Sequence, residues 1–160
     1  MASSKMIRLV NSTKNLVVTR ESLPLGIKMV LVSARSWVSA ARQGRCTKKV
    51  LIPLFTRMEC AYLIPVFDQL MVTLSSAAFR PIAVKSPHSK ELSADEVTLA
   101  RALEALAGDN VSRCRVLLSD MIDPSLSRPV ITVVAELIKG LKQAQFPCKS
   151  STKLRLVERS

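Results

Sequence analysis

Histidine occurs once in the chain, at His88, glycine only four times, and no two of the four cysteines stand at a CxxC spacing. Each scarcity removes a class of chemistry. A nucleophile needs a neighbouring base, and His88 lies in a Ser-Pro-His-Ser stretch far in sequence from Cys46 and Cys60. Structural zinc needs three or four converging ligands, usually with local pairs. One histidine with Cys46, Cys60, Cys114 and Cys148 offers no such pair, so neither a metal nor a cofactor is expected. The few glycines spell no phosphate-cradling loop and no dinucleotide fingerprint, and they are too sparse for an all-β fold rich in tight turns. Aromatic residues make up 4% of the chain. The core must therefore be built from Leu, Val, Ile, Ala and Met, and stacking of nucleic-acid bases on aromatic rings has little support.

Acidic residues are also scarce, but only in one half. Residues 1–90 carry 14 Lys/Arg against 3 acids, residues 91–147 carry 6 against 8, and residues 148–160 carry 4 against 1. The net charge of +12 is thus concentrated in the first half, which directs attention to polyanions: nucleic acid, an anionic membrane surface or an acidic protein. The first 57 residues hold 11 Lys/Arg and a single acid, Glu21. That composition fits a transit peptide and equally a bacterial basic arm. No transmembrane segment is expected: the most apolar long window, 23–41, is interrupted by Lys28 and Arg35. The four cysteines read as reduced, buried thiols of a cytoplasmic protein.

What remains is punctuation for helices. Ser22-Leu23-Pro24 reads as a helix entry with Ser as cap. Ile27, Val30, Leu31, Ala34, Trp37, Val38 and Ala41 follow at helical spacing, and Gly44 closes the run. Residues 48–58 are apolar around Pro53, which predicts a short helix or an irregular piece. Pro65 opens a third amphipathic run, Val66 to Ala78. Ser93-Ala-Asp-Glu96 spells a capping box ahead of Val97, Ala100, Leu103, Leu106 and Ala107, with Gly108 as the stop. Asp109 or Asn110, and then Asp123-Pro124, begin the remaining helices, the last one running over Val130–Leu141. The carboxylate pairs Asp95/Glu96 and Asp120/Asp123 are accounted for by these helix starts without an acid–base role. The expected fold is all-α: a small bundle of five to six helices with a basic N-terminal arm and a short basic C-terminal tail. Its divisions are an arm at 1–21, a basic helical half at 22–84, a linker at 85–92, a helical hairpin region at 93–146 and a basic tail at 147–160.

The stretch Ser86-Pro-His-Ser89, then Ser93-Ala-Asp-Glu96 and Ala107-Gly-Asp109, resembles a set of uncharacterised small bacterial helical proteins over roughly residues 35–143. In those a cysteine-bearing loop precedes a similar helix start, and this chain has Ser86 and Ser89 there instead. The resemblance implies a helical fold and a bacterial cytoplasmic setting. It implies no activity.

One feature points to function. Lys28, Arg35 and Arg42 are spaced by seven residues, which puts them on one side of a helix, and Arg45, Lys48 and Lys49 extend the charge past its end. These six form the candidate polyanion-binding set. The leading expectation is a non-enzymatic helical binding or regulatory protein that docks on a polyanion, nucleic acid first. The alternatives are a protein–protein adaptor or homo-oligomer using exposed apolar helix faces, consistent with a mean hydropathy of +0.24, and a peripheral membrane protein with helix 24–43 lying in the plane of the interface.

Overall fold

The structure, a computed structural model, describes residues 19–149. Most of the arm expected at 1–21 and the tail beyond 149 lie outside the described residues. Among the described residues the chain is all-helical: α1 (Leu25–Arg42), α2 (Thr47–Arg57), α3 (Ile64–Ala77), α4 (Ala94–Ala107), α5 (Val111–Leu118) and α6 (Ser127–Gln143), with one-turn 3-10 helices at Arg20–Ser22, Ala61–Leu63 and Pro124–Leu126. The only strand-like pairing among the described residues is an isolated antiparallel bridge between Ala78 and Ile122.

Consecutive helices pack on one another, α1 on α2, α2 on α3, α4 on α5 and α5 on α6, and the two sets of three meet along α3–α6 and α1–α4. One apolar cluster runs through both, from Ile27 and Leu31 through Phe55, Phe67 and Leu70 to Leu103, Leu118, Val134 and Leu137. The α3–α6 seam closes over Gly140, where an added Cβ would fall 2.3 Å from a methyl carbon of Leu63. A side chain at position 140 would force Leu63 to move.

Local sequence explains most boundaries. α1 starts after Pro24, which is itself the N-cap, while the Ser22 hydroxyl donates to the Thr19 carbonyl and caps no helix. The start of α1 is satisfied from elsewhere: the Gly26 N–H donates to the carbonyl of Pro147 at 2.8 Å. A Cβ at Gly26 would meet Cys148 Sγ at 2.8 Å and that same carbonyl at 2.9 Å. The residues that open the expected tail are thus docked, with Cys148 buried. α1 ends at Gln43-Gly44, Gly44 adopting φ +68°, a conformation that only glycine enters without strain. α2 contains Pro53, which withdraws the hydrogen bond that the Lys49 carbonyl would accept. At the end of α4 the left-handed residue is Asp109 (φ 62°) and not Gly108 (φ −93°); the Asn110 N–H reaches back to the Ala105 carbonyl across that turn. Asn110 then caps α5 by accepting from the Arg113 N–H.

Candidate functional site

The capping box at Ser93 is formed as the sequence predicts. Ser93 Oγ accepts from the Glu96 N–H at 3.0 Å, and Glu96 Oε1 accepts from the Ser93 N–H at 2.9 Å. The same carboxylate has a second partner. Arg35, buried at 1% exposure in α1, donates through Nε to Glu96 Oε2 at 2.7 Å and through Nη2 to Oε1 at 3.1 Å. Its remaining donors go to the carbonyls of Ser89 (2.6 Å) and Glu91 (2.7 Å). All three nitrogens of the guanidinium are therefore engaged within the protein, and the segment 85–92 is fastened to α1 by them.

This corrects the helix-face stripe expected from Lys28, Arg35 and Arg42. The seven-residue spacing does put them on one side of α1, but that side turns into the bundle at its middle. Arg35 is sealed against α4 and reaches no external anion. Lys28 is half-buried and holds Glu21 at 2.7 Å, and that hydrogen bond keeps the Glu21 carboxyl below its ordinary value. Only Arg42 of the three is exposed.

Asp95, next to Glu96, is held by another arginine of the basic half. Arg80 Nη1 and Nη2 each donate to it at 2.9 Å, and the Ala83 N–H donates at 2.7 Å. The Arg80 hydrogen bond outweighs the effect of burial and holds the Asp95 carboxyl below its ordinary range. The two adjacent acids each face a separate arginine. This is a structural clamp between the two sets of helices, and neither acid is left open for proton transfer.

Of the six candidate cations, those that remain open are Arg42, Arg45, Lys48 and Lys49, all exposed and without an ion pair to any described residue. They occupy the end of α1, the Gly44 turn and the first turn of α2. The Arg45 N–H donates to the Ala40 carbonyl at 2.8 Å, folding the turn back over the last turn of α1. Lys48 and Lys49 sit at the positive end of the α2 dipole, a helix start with no side-chain cap and no acid in its first turn. One carboxylate anchors this region: Asp68 Oδ1 accepts from Trp37 Nε1 at 2.8 Å and from Thr47 Oγ1 at 2.9 Å.

Beside this cluster lies an open apolar groove of about 510 Å³ between α1, α3 and the 78–84 segment, walled by Trp37, Val38, Ala41, Leu74, Phe79 and Ile82. Arg42 and Arg80 line it, and no acid does. The sequence shows the apolar stripe of α1 running on through Trp37, Val38 and Ala41; in the fold that part of the stripe is half-buried or exposed, and Phe79 opposite is 59% exposed.

The other candidates for chemistry separate in space. His88 is exposed and makes no hydrogen bond to a described residue. Cys60, Cys114 and Cys148 are buried and all four thiols are unpaired, while Cys46 is exposed, against the expectation that all four are core residues. Burial raises the Cys114 thiol to about 11. No three His, Cys, Asp or Glu side chains gather as a metal-binding group among the described residues, and no helix among them is long and apolar enough to cross a membrane.

Searches of protein families, of curated proteins and of solved structures return no match to this chain.

Proposed function

We propose that this protein is a non-enzymatic helical binding protein that docks on a polyanion through Arg42, Arg45, Lys48 and Lys49. The observation that supports this most is the start of α2. Two lysines stand where a helix favours acids, no cap offsets them, and two more exposed cations adjoin them with no ion pair to a described acid. A stretch of chain that keeps unmatched positive charge around free backbone N–H groups is suited to an anionic partner. Arg35 and Lys28 drop out of the site for the reasons given above.

The membrane reading loses support from the same geometry. The apolar residues of the 24–43 helix, Ile27, Val30, Leu31 and Ala34 among them, are buried in the core, so in-plane insertion would require the bundle to open.

Binding to a heparin column and to mixed-sequence nucleic acid at two salt concentrations tests the proposal. The full chain is compared with the variant Arg42→Glu/Lys48→Glu/Lys49→Glu. The wild type elutes from heparin at higher salt, and its affinity falls with salt at a log–log slope of about −0.9 per phosphate neutralised on duplex DNA. Equal elution of the two proteins would remove the cluster from the binding site, whatever the arm and tail contribute.

A further inference from the structure

The groove and the cation cluster are not independent features. Trp37 is a wall of the groove, Thr47 is the first residue of α2, and one oxygen of Asp68 holds both. Arg42 belongs to both as well: it lines the groove and begins the cationic stretch. A partner that fills the groove therefore meets Arg42 at its rim and Arg45, Lys48 and Lys49 directly beyond.

Resting on the polyanion reading, we infer that the partner is an acidic amphipathic protein segment, a helix that lays apolar side chains into the groove and presents Asp or Glu to the cluster. Charge complementarity carries this. The lining includes no acid; Arg80 in it is committed to Asp95, but Arg42 is open, and Arg45, Lys48 and Lys49 add three more exposed cations. The volume falls within the range of about 300–1,000 Å³ of pockets that bury small ligands, and apolar anchors at i, i+3, i+4 and i+7 suit such a groove. Nucleic acid would satisfy the cations and leave the apolar floor uncovered. The Trp37 indole is half-buried and fixed by its N–H to Asp68, a poor platform for stacking. The chain's own outer segments are unsuited as occupants, because residues 1–18 carry three cations and no acid, and residues 150–160 carry three cations and one acid.

The site contains its own reporter, since Trp37 is the single tryptophan of the chain. The full-length protein is titrated with three probes: a short synthetic peptide with leucines at i, i+3, i+4 and i+7 and glutamates elsewhere, the same peptide with serines for leucines, and a mixed-sequence oligonucleotide. Trp37 emission reads the groove, and the anisotropy of labelled probes reads binding. The leucine peptide shifts Trp37 emission and binds about ten-fold more tightly than the serine peptide, the size of effect expected of a buried apolar anchor. Phe79→Ala, at a position exposed enough to leave folding intact, removes most of that difference and leaves the serine peptide unaffected. The triple charge reversal weakens both peptides. If all three probes bind alike with Trp37 silent, the groove inference fails and the cation reading stands. If the oligonucleotide binds more tightly than the leucine peptide, the partner is nucleic acid and the inference is overturned. If no probe binds, both readings fail.

Discussion

Two helix starts in this protein are opposites. α4 begins with a complete capping box, carries Asp95 and Glu96 at the positive end of its dipole, and fastens each acid to an arginine. α2 begins with no side-chain cap and carries Lys48 and Lys49 at the corresponding end. Every local rule is obeyed at the first and broken at the second. α1, α3 and α6 also start without a side-chain cap and without an acid in the first turn, so what sets α2 apart is its two adjacent exposed lysines. The contrast also shows that residue type does not fix role: Arg35 and Arg42 stand seven residues apart on one side of α1, yet one is a buried tie and the other an open charge.

The comparison breaks most severely at Glu96. Glu96→Ala removes half of the capping box and leaves the Arg35 guanidinium buried without its counter-charge. The expected loss is about 3–5 kcal/mol, the range for halving a buried ion pair, measured by urea denaturation. A loss below about 1 kcal/mol would mean that Arg35 finds water or another acid when Glu96 is absent.

Asp95 sharpens it by pH. Its folded carboxyl lies below the unfolded value, so its contribution to stability is full above the ordinary Asp range and is lost as pH falls through the lowered folded value. The wild type should therefore lose stability below about pH 4, and Asp95→Asn should flatten that part of the curve. Identical acid limbs for the two proteins would show that the Arg80 pair carries no net weight.

The smallest effect is expected at α2 and has the opposite sign. Lys48→Glu/Lys49→Glu turns this start into one resembling α4 and should stabilise by roughly 0.3–1 kcal/mol per charge at low salt, while weakening retention on heparin. Stability and binding moving in opposite directions is the signature of a start kept unfavourable for function. If both fall together, the lysines serve the fold.

Much of the architecture was legible in the sequence because helix punctuation is local. The capping box, the Gly44 stop, Pro65 in the first turn and Asn110 as a cap each act within four residues, and each is present. The clamp was not legible, because Arg35 and Glu96 stand 61 residues apart and Arg80 and Asp95 meet only across a loop. A signal did exist. Arg35 follows Ile27 and Leu31 on the buried face of α1, and Glu96 precedes Leu99, Ala100 and Leu103 on that of α4. A charge on an apolar stripe requires a buried partner, so two such charges of opposite sign were candidates for each other. The groove escaped for the converse reason. Periodicity identifies an apolar face without saying whether a neighbour covers it, and Trp37, Val38 and Ala41 read as core although the groove leaves them half-buried or exposed.

The hydrogen bond from Gly26 to Pro147 has a consequence for how the molecule comes into being. It joins the second residue of the first helix to a segment at the far end of the described chain. On a ribosome, α1 can acquire its partners among α2 and α3 early. Its opening turn stays unsatisfied until residue 147 has been synthesised and has cleared the exit tunnel. The first α-helix of the described residues is thus completed by a segment 121 residues further along the chain, and no earlier segment stands in for it.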